Sequence, residues 1–472
     1  MTGPSLLMIG IDAADCVFIE DHVADLPHIA ALAGPGGLHR LTVEPLSGAV
    51  WTTFMTGARP DHHGVYHHMQ WDPASMTLRR THPDWIGAIE PFWRDWARSG
   101  LRVTAFDVPF VFPGDTGGAT EIANWGSHDL VDRFWASDPA TEAKVRAVAD
   151  THPMGFEVPV QKSRNVLQKA LDGVLAGIPL KTAACLRLME TTPTDAFIVI
   201  FGEAHRAGHL LWPDDDGPGV VPPGALLSVY KALDTAVAEL IDKVGTEANI
   251  VLFALHGMAR NQSQSHFSAD MLALAEAEIA GVPRPSGFGL IRTLRRTVPA
   301  PLQLTVANMV PTAVRDFVLA REIAGGHSWD RTKAISLDGD VSGYWRGNIA
   351  GREAKGALAP EDPFFDSFAE VLHKFTDAQG TPMVERITRP TRDWTGPRAH
   401  LLPDMVAEWT PSLPSLRTAH YPGGRRLRGQ LATGRSGNHR FHGFLAGRFP
   451  VHGPLPDHIK EIGNWAHGLV RR

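Results

Sequence analysis

The chain alternates short apolar runs with longer amphipathic stretches. The apolar runs lack the polar alternation of a half-exposed strand, which is typical of parallel strands buried on both faces. Four of them are LLMIGI from Leu6, RVTAFDVP from Arg102, AFIVIFG from Ala196 and NIVLFALHG from Asn249. Two helical patterns are RNVLQKALDGVLAG from Arg164 and ALLSVYKALDTAVAELIDKV from Ala225. This rhythm predicts an α/β fold, a mostly parallel sheet sandwiched by helices.

Polar residues follow these runs where the predicted strands end. They are Asp12, Glu203, His205 and His256. In open sheets of parallel strands, ligands bind outside the carboxyl ends of the strands. We therefore expect the functional site at that edge of the sheet.

Two segments are predicted to be insertions in this fold. Residues 259–330 contain several prolines between short amphipathic helices and are locally rich in arginine. A solvated helical cap or the surface of a homodimer is the simpler interpretation, and an anion-binding lid is the alternative. Residues 129–163 form the second segment, which we expect to cover the site. The catalytic domain then comprises residues 1–258 and 331–472.

Composition narrows the class of protein. With 472 residues, of which 43% are hydrophobic and 20% charged, the chain can bury a large core and is not disordered. A net charge of −6 gives no support to a nucleic-acid polymer as partner. The two cysteines, Cys16 and Cys185, exclude a disulfide framework and a zinc site built from cysteines. The first apolar run is too short for a signal sequence or a membrane span, so we expect a cytoplasmic protein without a membrane partner.

Ser47 raises a question of its own. The stretch LSGAVWTTFMTG, from Leu46, follows a proline and has the apolar spacing of a loop that turns into a helix. A serine at such a junction is most often a helix N-cap. The alternative is a nucleophile at the positive end of a helix, where an anionic group is stabilised.

Histidine clusters supply the candidate metal ligands. In EAHRAGH, His205 and His209 are four residues apart, which places both on one face of a helix. The zincin metalloprotease motif requires a glutamate directly after the first histidine, and Arg206 stands there instead. ALHG places His256 at a strand end, and GNHRFHG carries His439 near the C-terminus.

Together these motifs resemble the alkaline phosphatase superfamily, specifically its type I phosphodiesterase and nucleotide pyrophosphatase branch. GIDAAD is similar to the strand-end aspartate motif, and PLSGAVWTTFMTGARPDHHGVY to the nucleophile segment. HRAGH matches the Asp-x-x-x-His ligand motif, LHG the Asp-His-Gly motif and GNHRFHG the Gly-x-His motif. RGNIAGREAKG and LPDMVAEW also resemble segments of family members. The resemblance extends from Leu6 to about Gly447, apart from the insertions.

The resemblance implies that Ser47 is the nucleophile and that two metal sites flank it. Two cations a few ångströms apart stabilise the attacking and the leaving oxygen of an in-line displacement. It also implies that His68 stands where nucleotide pyrophosphatases carry an asparagine that donates to the phosphoryl group, and an imidazole can act there as donor or general acid. A sulfatase is disfavoured, because Ser47 is not followed by the x-Pro-x-Arg that the modified nucleophile requires.

Two positions depart from the family pattern. The aspartate of the Asp-x-x-x-His motif is His205, so one site becomes His205, His209 and His439, a set suited to zinc. The aspartate of the Asp-His-Gly motif is Leu255, which cannot bind a metal. The second site then keeps Asp12, Ser47 and His256. We expect one tightly bound zinc ion and a weaker second metal, because about two negative charges are lost.

The remaining polar residues carry weaker expectations. His63 and His67 are interpreted as supporting or surface residues, and His128 as a less favoured residue of the site. For Arg346 and Arg352, an ion-paired turn is favoured over contact with a substrate phosphate. Asp404 is interpreted as a cap at the start of a strand.

The sequence thus predicts a hydrolase that cleaves a phosphodiester or pyrophosphate bond of a small molecule through a phosphorylated Ser47. The alternatives are a phosphoryl, phosphonate or sulfuryl transferase using the same site, and a non-catalytic binding protein with a degenerate metal site. Fold-level similarity alone does not determine the substrate.

Overall fold

The computed structural model describes residues 3–87, 89–127, 133–155, 163–213, 220–281, 311–325, 327–337, 339, 341–429, 434–451 and 453–471. The strands in these ranges are β1 (Leu6–Ile11), β2 (His39–Thr42), β3 (Met69–Asp72), β4 (Thr77–Arg80), β5 (Val103–Phe106), β6 (Thr120–Ala123), β7 (Trp135–Ala136), β8 (Ala196–Phe201), β9 (Asn249–Ala254), β10 (Gly257–Arg260), β11 (Ala334–Leu337), β12 (Gly343–Gly347), β13 (Val384–Thr388), β14 (Met405–Trp409), β15 (Thr418–Tyr421), β16 (Arg425–Arg428), β17 (Gly437–Arg440) and β18 (His442–Arg448).

The α-helices in the same ranges are α1 (Cys16–Asp21), α2 (Pro27–Ala33), α3 (Val50–Thr56), α4 (Pro60–His63), α5 (Pro83–Ile86), α6 (Phe92–Arg98), α7 (Pro139–Arg146), α8 (Arg164–Thr191), α9 (Glu203–Leu211), α10 (Ala225–Val244), α11 (Ser268–Ala280), α12 (Thr312–Ala324), α13 (Phe364–Leu372), α14 (Pro390–Asp393) and α15 (Ile462–His467). None of these helices is both long and apolar enough to cross a membrane.

The central sheet confirms the predicted α/β class. Its strand order is β2-β18-β9-β1-β8-β5-β6-β7. The five inner strands from β9 to β6 run parallel, whereas β2, β18 and β7 form antiparallel pairs at the two edges. All four predicted apolar runs form inner strands, each buried along its whole length.

Helices cover both faces of this sheet, as the continuous apolar runs require. On one face, α8 and α10 pack on the strands through residues such as Leu171 and Leu233. On the other face lie α3, α6 and α15, with Phe54, Trp93 and Ile462 in a second apolar cluster. The helix α10 has the predicted bounds. The helix α8 continues beyond the predicted stretch, through Pro179, because its apolar face continues to Leu188.

A second, antiparallel sheet was not expected from the sequence. Its order is β11-β12-β14-β13, and α11 and α13 share an apolar core with it. The predicted insertion 259–330 contains α11 and α12, while its residues 282–310 lie outside the described residues. The strand β10 crosses the predicted boundary at 258 and pairs with β17. The domain boundaries and the cap or homodimer interpretation stay predictions.

Candidate metal centre and active site

Parallel pairing brings three segments to the same edge of the central sheet. Ile11 at the end of β1 pairs with Phe201 at the end of β8, and Gly10 pairs with Phe253 in β9. The residues that follow these strands therefore lie close together at the carboxyl edge. They are Asp12 after β1, His205 and His209 on α9 after β8, and His256 after β9.

Asp12 lies at the centre of these contacts and is buried. Its Oδ2 is 2.7 Å from Nδ1 of His205. Its Oδ1 accepts a hydrogen bond from the indole N–H of Trp51 at 3.1 Å and lies 3.8 Å from Nε2 of His256. One carboxylate thus links the ends of β1 and β9 to α9 and α3.

His205 and His209 lie one helical turn apart on α9, as their spacing predicts, and their Nε2 atoms are 3.0 Å from each other. The Nδ1 of His209 lies 3.1 Å from the carbonyl oxygen of Gly437, which can only accept a hydrogen bond. The Nδ1 of His205 faces the Asp12 carboxylate, which accepts when ionised. These partners assign the ring protons to Nδ1, so two Nε2 lone pairs point at each other. A metal ion, or a proton on one of the two rings, would satisfy this pair of acceptors.

His439 completes the group from β17. Its ring centroid lies 4.6 Å from that of His205 and 4.8 Å from that of His209. The pairing of β17 with β10, in which His439 faces Met258, sets this position. Gly437 lets β17 approach α9, because a Cβ at this position would overlap the carbonyl oxygen of Gly208.

Two sets of ligand atoms could each hold a metal ion here, with all atoms of a set within 4.8 Å of one another. One set is His205, His209 and His439, and the other is Asp12, His205 and His256. Tetrahedral zinc with Zn–N bonds of about 2.0 Å separates its nitrogen ligands by about 3.3 Å, close to the observed Nε2 separation. The three-imidazole set therefore fits zinc.

Ser47 begins a 3₁₀ turn, Ser47–Ala49, that leads into α3, and it is half-buried. The N-cap residues are Leu46 for this turn and Ala49 for α3, so Ser47 is not at the N-cap position of either. Trp51, one helical turn later, donates to Asp12 and ties this segment to the cluster. Gly48 packs against the backbone of His67, where any Cβ would clash.

The histidines after α3 differ in their surroundings. His68 is half-buried, with its ring centroid 4.2 Å from that of the buried His67. Nδ1 of His67 is 3.0 Å from the carbonyl oxygen of Met69, a local backbone contact. Burial lowers the pKa of His63 to about 3, and its ring joins Thr53 of α3 to the following turn. His128 lies outside the described residues.

Leu255 occupies an apolar environment. It is 1% exposed and belongs to the cluster formed by Val251, Phe253 and Leu445. No ligand atom is therefore available from this position, although it directly precedes His256.

A buried ionic network lies at the N-terminal end of α9. The sequence analysis did not predict this network. Nζ of Lys181 lies 2.8 Å from Asp107 Oδ2 and 3.6 Å from Glu203 Oε1, and it donates to the carbonyl oxygen of Ile200. Burial opposes the charge on Lys181, but the two carboxylates outweigh it and raise its pKa. Burial of Glu203 is likewise outweighed by Lys181, and the pKa of Glu203 falls to about 2.

Arg206 extends this network to two loops. It donates to the carbonyl oxygens of Gly126, Ser127 and Gly155 at 2.8–2.9 Å, and Nη1 lies 3.2 Å from His152. In the sequence analysis, Arg206 was used only as evidence against a metalloprotease motif. The available signal was an arginine within a predicted helix that follows a buried strand directly.

The arginines of the second sheet form ion pairs, as favoured. Arg346 donates to Glu353 at 2.8 Å, and Arg352 donates to both oxygens of Asp404. Asp404 also accepts the N–H of Gly347, so it joins two strands and does not cap its own. Burial raises the pKa of Asp404, but Arg352 outweighs this and lowers it.

Comparison with known proteins identifies the family to which the chain belongs. A family model described as type I phosphodiesterase / nucleotide pyrophosphatase matches residues 6–311, well over half of the chain. This range includes Asp12, Ser47, His205 and His256, whereas His439 lies beyond it. No curated protein sequence matches the chain.

Two solved structures are similar to the chain, and the first of them shares its fold. The phosphonoacetate hydrolase from Sinorhizobium meliloti 1021, in complex with phosphonoformate, is similar with a TM-score of 0.53 and 13% identity, over 100% of this chain and 96% of that chain. Human ectonucleotide pyrophosphatase / phosphodiesterase 5 has a TM-score of 0.49 and 11% identity, over 98% of this chain and 94% of that chain.

Proposed function

Because the chain belongs to the type I phosphodiesterase / nucleotide pyrophosphatase family, we propose that this phosphoester hydrolase cleaves a phosphodiester or pyrophosphate bond of a small molecule through a covalent phosphoserine at Ser47. The observation that carries the proposal is the pair of facing Nε2 atoms of His205 and His209, 3.0 Å apart. A metal ion held by these atoms would lie close to Asp12, which Trp51 links to the segment that carries Ser47.

Zinc is the metal that we propose. His205, His209 and His439 would hold it tightly, and Asp12, Ser47 and His256 would hold a second ion more weakly. Bound metal would stabilise negative charge on the attacking and leaving oxygens of the phosphoryl group. Asp12 keeps the ring of His205 in place through the hydrogen bond to Nδ1, and Gly437 does the same for His209.

The reaction proceeds in two displacements. The Oγ of Ser47 attacks phosphorus and gives its proton to solvent, an Oγ–P bond forms, and the bond from phosphorus to the leaving oxygen breaks as that oxygen takes a proton from His68 or solvent. Water then attacks the phosphoserine, so that the Oγ–P bond breaks, the water oxygen stays on phosphorus and a proton from water restores the hydroxyl of Ser47. We assign His68 as a donor to the phosphoryl oxygen or as the general acid for the leaving oxygen.

The substrate class is tested with p-nitrophenyl phosphate, bis-p-nitrophenyl phosphate, a dinucleoside pyrophosphate and phosphonoacetate. Phosphonoacetate is included because a structurally similar protein is a phosphonoacetate hydrolase. We expect turnover of the diester and the pyrophosphate to exceed that of the monoester. A metal-loaded protein that turns over none of the four compounds would favour the binding-protein alternative.

The nucleophile is tested with Ser47→Ala. We expect kcat to fall by at least ~10³-fold, since the covalent route is lost as a unit. Ser228→Ala, a half-buried serine on α10, is the matched control and should keep full activity. Acid-quenched wild type should carry a phosphoryl group on the peptide containing Ser47. Substantial turnover by folded, metal-loaded Ser47→Ala would contradict the covalent step.

The cytoplasmic location, the homodimer and a partner list restricted to small phosphate esters are parts of the same proposal. Gel filtration of the purified protein tests the homodimer directly.

A further inference from the structure

A second group of metal-binding side chains lies beside the metal centre and has no part in the chemistry proposed above. It consists of the Asp15 carboxylate, the Cys16 thiol and the His442 imidazole, whose ligand atoms all lie within 4.8 Å of one another. Asp15 follows Asp12 by three residues, and His442 follows His439 by three residues. The turn after β1 and the β17–β18 segment therefore each carry residues of both groups.

The two oxygens of Asp15 have different environments. Oδ1 accepts the N–H of Phe18 at 2.9 Å and caps α1. Oδ2 is buried, and no donor among the residues that the structure describes lies within hydrogen-bond distance of it. The nearest ring nitrogen, Nε2 of His442, is 3.8 Å away. A buried carboxylate oxygen without a donor is costly, and a cation between Oδ2 and Nε2 would satisfy both atoms.

The spacing and charge of the group fit a zinc-like ion. Bonds of about 2.0 Å to oxygen and nitrogen and about 2.3 Å to sulfur place the tetrahedral ligands of such a set roughly 3.3–3.5 Å apart. Oδ2 and Nε2 are 3.8 Å apart, so the half-buried ring of His442 would move towards Asp15 by about 0.5 Å when the ion binds. One carboxylate and one thiolate would neutralise a dication, and a sulfur, nitrogen and oxygen set favours zinc over magnesium or calcium. The cysteine count excludes sites built from several thiolates, whereas this group needs only Cys16.

A third turn also contacts the group. Gly257, which directly follows His256, packs against Asp15 so closely that a Cβ there would lie 2.5 Å from Oδ2. The hydroxyl of Tyr230 accepts the N–H of Asp15 at 2.9 Å and holds this turn against α10. The segments that carry Asp12, His256 and His439 therefore lie next to one another around Asp15.

We propose that Asp15, Cys16 and His442 bind a zinc-class divalent ion, separate from the catalytic metals, which holds together the turn that carries Asp12 and the β17–β18 segment that carries His439. The site is structural and takes no part in phosphoryl transfer. Because it uses none of the catalytic ligands, it holds whether or not the proposed function is correct.

Cobalt substitution tests the site independently of activity. Co²⁺ bound to a thiolate has a sulfur-to-metal charge-transfer band in the near ultraviolet, and the catalytic ligand sets contain no sulfur. Wild-type protein titrated with Co²⁺ should develop this band. Cys185→Ser, which alters the other buried cysteine, is the control and should keep it. Cys16→Ser should abolish the band and lower the metal content by one equivalent.

Two further variants keep the test decisive if Cys16→Ser fails to fold. Asp15→Asn retains the cap on α1, because asparagine is as good an N-cap as aspartate, but it removes the charge. His442→Ala changes a half-buried side chain. Each should weaken Co²⁺ binding at the thiolate site by at least about tenfold. A wild-type protein that shows no thiolate band at saturating Co²⁺, or a band that survives Cys16→Ser, would overturn the proposal.

Discussion

Lys181→Met removes the only ammonium group of the buried network while keeping most of the side-chain volume. In the wild type, Nζ is 2.8 Å from Asp107 and 3.6 Å from Glu203, and all three side chains are fully buried. Removing one partner of a buried ion pair costs about 3–5 kcal/mol, since uncompensated charge stays behind. Lys169→Met, on an exposed position of the same helix, should change stability by less than about 0.5 kcal/mol.

The dependence on pH follows from the pKa of Glu203. In the folded wild type this pKa is about 2, below the ordinary value of 4.5. Its contribution to stability is therefore present above pH 4.5 and is lost as the pH falls towards 2. Without Lys181, burial dominates and the pKa of Glu203 rises, so that the carboxyl group becomes easier to bury once it is protonated. The stability difference between wild type and Lys181→Met should be largest near pH 7 and should shrink towards pH 4.

Urea denaturation at pH 4, 5.5 and 7, followed by circular dichroism, measures this difference. Metal content is measured on the same samples, since Glu203 begins the helix that carries His205 and His209. We expect Lys181→Met to lose metal more readily than Lys169→Met. A difference below about 1 kcal/mol at pH 7, or one that grows as the pH falls, would refute an ionic role for the network.

Three further variants address the metal centre. His205→Ala should lower metal content and activity together, and His205→Asp should restore part of both, because carboxylate and imidazole both bind zinc; unchanged metal content in the alanine variant would make His205 structural. Gly437→Ala should push β17 away from α9 and weaken metal binding by at least about tenfold, whereas Gly36→Ala, which has open space around it, should not. Leu255→Asp should lose stability without metal, as its side chain lies in an apolar cluster, but bind a second metal more tightly. Dialysis against a weak chelator followed by elemental analysis measures this, and two equivalents retained by wild type would contradict our account of the second site.

The sequence predicts those parts of the structure that depend on local patterns. The helix α10 has the predicted bounds because its apolar residues recur at helical spacing over the whole segment. The four inner strands were predicted because strands buried on both faces are continuously apolar. The four-residue spacing of His205 and His209 predicted that both lie on the same face of one helix. The meeting of His439 with these residues depends on the pairing of β17 with β10, and it was inferred only from the resemblance to a family.

The ionic network could not be predicted in the same way, because its members are distant in the chain. Asp107, Lys181 and Glu203 lie on separate elements and meet only when α8 packs over the ends of β5 and β8. The available signal was Lys181 itself, a lysine on the buried face of α8 between Ile178 and Cys185. The second sheet was missed for another reason. Its strands are four or five residues long and share no burial pattern, since β12 is buried throughout whereas β13 is mostly exposed or half-buried.

The loss of two family carboxylates changes the charge of the site, and the geometry indicates how the chain accommodates it. Asp12 is the one carboxylate in the two catalytic ligand sets, and both of its oxygens already have partners in His205 and Trp51. Its negative charge therefore serves His205, strengthening that imidazole as a ligand. With zinc bound as we propose, three neutral imidazoles would leave the full charge of the ion facing the substrate, whereas an aspartate ligand would cancel part of it. Such an electropositive site would stabilise the negative charge that the phosphoryl group gains in the transition state, so we expect the second metal to be bound only weakly.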